Sequence, residues 1–310
     1  MTIRSAQRHR RSSTTITASR ARTRRTAAIF ITPFGLLFVC FYVLPICYAV
    51  YRSLFVTTRQ GAFGRATESF AGLANYSRAL QDSAFLDSIG RVLLFGIVQV
   101  PLMLGLALVF ALLLDSATLR LKRFVGISLF VPYAVPAVIG VIMWGFLYTP
   151  GLSPVVSLLE SAHLPADFLG PDMVLWSVAN IVTWTYTGYN VIILYSALQA
   201  IDSSVYEAAR MDGASALQVA RHIKVPILRP AIVLTALFSI IGTLQLFTEP
   251  QVLAGISPSV TSTFTPTMMA FSQASGNNYA YAATLSVILA LAAGILSFGL
   301  LKVTQRRSQS

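Results

Sequence analysis

Charge is what this sequence has least of. Only 11% of its 310 residues are Asp, Glu, Lys or Arg, against 55% that are hydrophobic, whereas a soluble domain carries charge on about a quarter of its residues. Such a chain cannot cover itself with a water-facing surface, and its mean hydropathy of +0.69 agrees. Cysteine is nearly absent too. Cys40 and Cys47 sit seven residues apart on one apolar run, roughly 10 Å along a helix, too far for a disulfide. The three histidines, His9, His163 and His222, lie outside the apolar runs and make no cluster with carboxylates. Metal-ligand spacing is therefore missing, and no run holds paired acids for hydrolysis within a membrane. No G-x-x-x-x-G-K-[ST] phosphate loop occurs. The sequence offers no catalytic machinery.

What it has is uncharged length. Runs free of Asp, Glu, Lys and Arg cover 27–50, 92–114, 124–147, 173–198, 231–248 and 281–301. A span needs ~20 apolar residues to cross a ~30 Å hydrocarbon core, and only the fifth run is slightly short. Inside lipid the backbone must satisfy its own hydrogen bonds, which predicts helices. Pro45, Pro101, Pro132 and Pro136 interrupt these runs, as membrane helices tolerate. The first run is too long for a cleaved signal peptide, whose apolar region is ~7–15 residues, so it is expected to stay as an anchor. An all-α polytopic membrane protein of six transmembrane helices follows.

Orientation comes from the basic residues. Eight of the 23 Lys and Arg lie in the first 25 residues. With Arg120, Lys122 and Arg123, with Arg210, Arg221, Lys224 and Arg229, and with Lys302, Arg306 and Arg307, they fall on one side of a six-span chain. The other side has Arg52, Arg59, Arg65, Arg78 and Arg91. Both termini are thus expected in the cytoplasm. The tail 1–26 reads as a disordered cytoplasmic arm whose partner is anionic membrane lipid, with no nucleic acid involved. The membrane domain reads as 27–304, and 305–310 as a second cytoplasmic tail. Outside, 53–90 is expected to be a polar loop with a short interfacial helix near 75–89. The proline-rich segment 150–172 is expected to be irregular.

The long cytoplasmic loop, about 200–230, has internal structure. Ser204 and Glu207 have the S-x-x-E spacing of a capping box opening a short helix. Gly213 breaks that helix, Ser215 and Gln218 open another, and Pro226 and Pro230 mark the junction with the fifth span. Glu207-Ala208-Ala209, then three residues, Gly213, nine residues, and Ile223-x-Val225-Pro226 resembles the EAA loop of binding-protein-dependent ABC importer permeases. Val225 stands where that family usually has Leu. Gly72-Leu73-Ala74-Asn75-Tyr76 with Asp82 and Phe85, 169–172 followed by Trp184, and 279–283 are similar to its carbohydrate-uptake branch. At 253–258 this chain departs from the family's usual T-x-G-G-P.

That resemblance, which covers about 28–304, implies a type I importer permease fold in a bacterial inner membrane. It implies that Glu207, Ala208, Ala209, Gly213, Ile223 and Pro226 couple the spans to a separate cytoplasmic ABC ATPase dimer. ATP and Mg²⁺ would be bound there, with no cofactor on this chain. It also implies a second related permease subunit, an extracytoplasmic solute-binding protein and a sugar substrate. This subunit would be no enzyme but half of a translocation pathway.

Polar residues within spans are costly and tend to face a bundle interior or a water-filled route. Asn180, Thr183, Trp184, Thr187 and Asn190 share one helical arc of the fourth span, and Thr235, Ser239, Gly242, Gln245 and Glu249 share one on the fifth. Of these, Asn180, Trp184, Asn190, Gln245 and Glu249 are the candidate substrate path. Amides suit sugar hydroxyls, and an indole suits the apolar face of a pyranose. Helix-to-helix packing would enrich the same small and hydroxyl residues, and Glu249, beside Pro250 near the outer end of its span, could equally be solvated. Other solutes, such as a polyol, glycerol phosphate or an amino acid, share the coupling loop. An ion-coupled carrier would instead place ionisable groups near the midplane of its spans.

Overall fold

The first helix of the computed structural model, which describes residues 28–59, 66–116 and 120–308, is α1 (Ala28–Ser53). The basic tail 1–26 lies outside those residues. α1 widens into a π-turn at Val39–Val43, just ahead of Pro45. A proline ring collides with the carbonyl four residues earlier, and the wider turn moves that carbonyl aside. A hairpin follows that the sequence reading had not separated from its loop. Its strands β1 (Phe55–Arg59) and β2 (Ala66–Phe70) are antiparallel, with Phe55 opposite Phe70. Next comes α2 (Ala74–Gln81). Asp82 then ends it and caps α3 (Ser83–Asp115), its carboxylate accepting from the amides of Ala84 and Phe85. The short helix expected at 75–89 is therefore two elements.

The third expected span, 124–147, is not one rod. It consists of α4 (Lys122–Ala134) and α5 (Ala137–Tyr148), which meet at 97°. The cause is local: Pro136 drives the preceding Val135 out of the helical region to φ −73°, ψ 131°. The segment 150–172 is also more regular than expected. It holds α6 (Pro154–Ser161), capped by Ser153, whose hydroxyl accepts from the amides of Val155 and Val156.

α7 (Val174–Gln199) forms the fourth span in a single piece. At the end that carries Arg120, Arg123, Arg210 and Arg229 lie α8 (Ser203–Met211) and α9 (Ala216–Val219). α9 runs on through a second π-turn, Ala220–Lys224, and the short turn Val225–Ile227 into α10 (Arg229–Leu244). Again the π-turn precedes a proline, here Pro226. After a break at 245–247 come α11 (Thr248–Leu253), α12 (Pro266–Ser275) and α13 (Tyr279–Ser308). The last helix passes the boundary expected at 304.

Four helical stretches have the length and apolarity to cross a membrane: α1, α3, Arg229–Leu253 and Tyr279–Lys302. The bent α4–α5 pair makes a fifth. α7, with 26 residues and so about 39 Å long, has the length. Its Asn180, Thr183, Thr187 and Asn190 make it more polar than the rest. Helices thus occupy all six of the expected runs, and four of them, or five with the bent pair, have the length and composition of a span.

Packing inside lipid cannot draw on exclusion of water, so close approach of small residues matters more. α3 meets α7 through Ala107 and Ala111, both fully buried against a cluster with Leu194 and Leu198. α4 meets α7 at Gly188, where an added Cβ would lie 1.8 Å from the Leu129 carbonyl oxygen. The end that carries β1 and β2 is tied by polar groups. Asn75, buried, donates to the carbonyls of Ser53 (3.1 Å) and Phe55 (2.7 Å). The Tyr281 hydroxyl donates to Asp82 at 3.2 Å while Arg78 lies 4.2 Å over the Tyr281 ring.

Candidate functional site

Two places collect the residues singled out in the sequence. The first is the protruding α8–α9 unit. Its N-cap is Asp202 and not Ser204: the Asp202 carboxylate accepts from the Ser204 amide at 2.9 Å. That backbone hydrogen bond holds its carboxyl below the usual carboxylate range. The helix consequently starts at Ser203, and Glu207 falls in its second turn rather than at its positive end. The second cap matches the expectation, with Ser215 and Gln218 forming a reciprocal capping box. Between the two helices Gly213 takes φ +77°, the left-handed region that a residue with a Cβ avoids.

The unit presents one face outward and anchors the other. Glu207, Ala208 and Gly213 are exposed and Ala209 is buried, while Ile223 and Pro226 are half-buried. Met211 and Leu217 stand out as apolar side chains 88% and 78% exposed. Behind them is a charged cluster that the sequence reading missed. Lys224, on the π-turn, pairs with Asp115 at the end of α3, and both side chains are largely buried. Gln199, the last residue of α7, donates to the same carboxylate at 2.8 Å. The Lys224 ammonium also lies 4.9 Å from the centre of the Tyr206 ring on α8. Burial, with the Asp115 carboxylate adding to it, pushes the Tyr206 phenol above its ordinary value. An aspartate at a helix C-terminus is disfavoured by the helix dipole, and Lys224 offsets that. Four elements are thereby joined where α8 meets the bundle.

The second place is a cavity of about 290 Å³ between α3, α7, α10 and α11. Asn190, Gln245 and Glu249 of the expected path line it; Asn180 and Trp184 do not. Those two face α5 instead. Asn180 donates to the Tyr148 hydroxyl at 2.8 Å, and Trp184 stands edge-on to Trp144 with 5.8 Å between ring centroids. The polar arc on α7 is wide enough to serve two neighbours, and a helical wheel cannot divide it. Gln99 of α3 lines the cavity and was overlooked. A lone amide within the uncharged run 92–114 was the signal available for it. Its amide donates to the Thr183 hydroxyl at 3.3 Å, and the Asn190 amide donates to the Tyr186 carbonyl at 3.0 Å. The amide oxygens of both residues are buried without a partner, a condition that costs about 1–3 kcal/mol each. Buried polar groups left in that state call for an explanation.

Residues 83–309 match the family described as "Binding-protein-dependent transport system inner membrane component". The lactose transport system permease protein LacF of Rhizobium radiobacter is 30% identical over 281 residues, covering 87% of this chain and 91% of LacF. The sn-glycerol-3-phosphate transport system permease protein UgpA of Agrobacterium fabrum is 30% identical, over 65% of this chain and 68% of UgpA. The trehalose transport system permease protein SugA of Mycobacterium tuberculosis is 28% identical, over 77% and 76%. Among solved structures, a bacterial ABC transporter involved in the import of the acidic polysaccharide alginate superimposes with a TM-score of 0.80. It covers 94% of this chain and 98% of its own at 16% identity, a likeness of fold.

Proposed function

Since the chain belongs to the family of binding-protein-dependent transport system inner membrane components, we propose that it is one permease subunit of an ATP-driven carbohydrate importer. The names of the lactose and trehalose relatives support the solute class. The observation that carries the mechanism is the α8–α9 unit, a hinge at Gly213 with φ +77° between two capped helices that hold Met211 and Leu217 out to solvent. Apolar knobs on a small protruding helix fit a groove on a soluble partner. In this reading the partner is a cytoplasmic ATPase dimer, which alone binds ATP and Mg²⁺, and this end of the molecule, with both termini, faces the cytoplasm.

Glu207, Ala208, Ala209 and Gly213 form the docking element, and Ile223 and Pro226 connect it to α10. ATP-driven closure of the ATPase pushes on α8. The Tyr206–Lys224–Asp115–Gln199 cluster passes that push to α3, α7 and α10 together. Solute delivered by an extracytoplasmic binding protein then moves along a route that includes Asn190, Gln245 and Glu249, with a second, related permease closing the other side. A gradient-driven carrier has one observation in its favour, the buried carboxylate of Glu249.

Gly213→Val tests the reading. A β-branched residue at φ +77° costs about 1–2 kcal/mol of backbone strain, confined to the hinge. Membrane insertion should remain normal, ATP-dependent sugar uptake should be lost, and the ATPase should co-purify weakly. Normal uptake in this variant would remove the coupling role. Uptake by the wild type that stops with an uncoupler but survives ATP depletion would instead establish the gradient-driven carrier.

A further inference from the structure

Glu249 supplies the one formal charge among the described residues that line the cavity, and it is negative. Its side chain belongs to a residue 6% exposed. Neither of the ion pairs among the described residues involves it; those are Arg52 with Glu68 and Lys224 with Asp115. The rest of the wall is aromatic or neutral, including Tyr186, Tyr189, Phe247 and Gln245. In the same wall Gln99 and Asn190, 1% and 2% exposed, hold amide oxygens without a donor. The Asn190 amide is oriented by its donation to the Tyr186 carbonyl, so the group it keeps in reserve is an acceptor. The described wall of this cavity therefore offers hydroxyls, amides and π faces, two buried acceptors without a donor, and no cation. A guest hydroxyl can supply the donors that the Gln99 and Asn190 amide oxygens lack. A guest with a negative group would find no cation to pair with and would face the Glu249 carboxyl in a recess where water screens poorly.

We propose that Glu249 is the specificity-determining residue of this cavity, accepting solute hydroxyls and restricting the importer to carbohydrates without negative charge. Neutral sugars, polyols and amino sugars pass; uronic acids, sugar phosphates and sugar sulfonates do not. This rests on the carbohydrate reading above and narrows it, since relatives of this fold include importers of acidic solutes.

The test uses the complete importer, with both permeases, the ATPase and the binding protein, in ATP-loaded proteoliposomes. It is offered radiolabelled sugars in matched sets that differ at one group: glucose, glucosamine, glucuronate and glucose 6-phosphate, and the corresponding disaccharides. At least one uncharged member should be taken up, and its acidic counterparts at least ~10-fold more slowly, as expected for an unscreened like charge. With the accepted sugar, E249Q should raise KM about tenfold by replacing charge-assisted hydrogen bonds with weaker ones. E249D should keep the preference for uncharged solutes, and E249K should abolish uptake in a complex that still assembles. Uptake of an acidic member as fast as its neutral counterpart overturns the charge rule. Wild-type kinetics in both E249Q and E249K removes Glu249 from the role. If no sugar of any charge enters, the carbohydrate reading fails first, and this inference with it.

Discussion

Gly188 separates a packing requirement from a conformational one. Its backbone angles are ordinary for a helix, yet a methyl group there would press into the Leu129 carbonyl of α4. Gly188→Ala should therefore force α4 and α7 apart and destabilise the protein by about 1–3 kcal/mol, as overpacking does. The measurement is a lowered midpoint in a thermal unfolding assay of the detergent-solubilised complex. Gly105→Ala is the control, because nothing lies within 4 Å of the added atom, and it should leave the midpoint unchanged or higher. The need for glycine at 213 could be read from the sequence, because a break between two capped segments is a local matter. The need at 188 could not, since it depends on which helix face α4 covers. The same limit applies to Asn180 and Asn190. Both were singled out as polar residues of one arc, but only the position of α5 sends Asn180 to Tyr148 and leaves Asn190 to the cavity.

Elements were legible where their causes are local. Uncharged runs located the long helices, and the proline positions pointed to interruptions. How sharply α4 turns into α5 was not legible, because a proline sets the preceding residue's backbone while the bend angle depends on packing. The hairpin β1–β2 was missed because apolar and polar residues do not alternate along it: Phe55 and Val56 are adjacent, and Phe70 is the one large apolar residue of β2. α8 makes two predictions. Its cap, Asp202, has a carboxyl held below the ordinary range by the Ser204 amide. A depressed pKa contributes stability above the unfolded value and loses it as pH falls through the folded one. The start of α8 should accordingly fray below about pH 4 and stay intact at neutral pH. Lower protection factors at 204–206 in acid, and in Asp202→Ala at pH 7, would report it. The cluster behind α8 is more demanding. Removing one partner of a buried ion pair costs about 3–5 kcal/mol, so Asp115→Asn and Lys224→Met should each reduce uptake strongly while the ATPase is still retained. The exchanged pair Asp115→Lys with Lys224→Asp should restore part of it. Equal uptake in all these variants would leave the cluster without a role in coupling.

For the molecule as a whole, the orientation drawn from the basic residues can be checked directly. In a variant with Cys40 and Cys47 replaced, a cysteine at 212 should react with an impermeant maleimide only in inside-out vesicles. A cysteine at 69, on β2, should react only in intact spheroplasts; the reverse pattern would invert the topology. Gly188 has a last consequence. Because α4 and α7 touch backbone to backbone, and α3 is locked to α7 through Ala107 and Ala111, these three helices have no room to slide. α10 also packs closely on α3, where a Cβ added at Gly96 would lie 3.0 Å from Thr243 Cγ2, but a π-turn precedes it and an irregular stretch follows it. If cargo is to squeeze through, the jamb is α3–α4–α7 and the hinges lie at the two ends of α10.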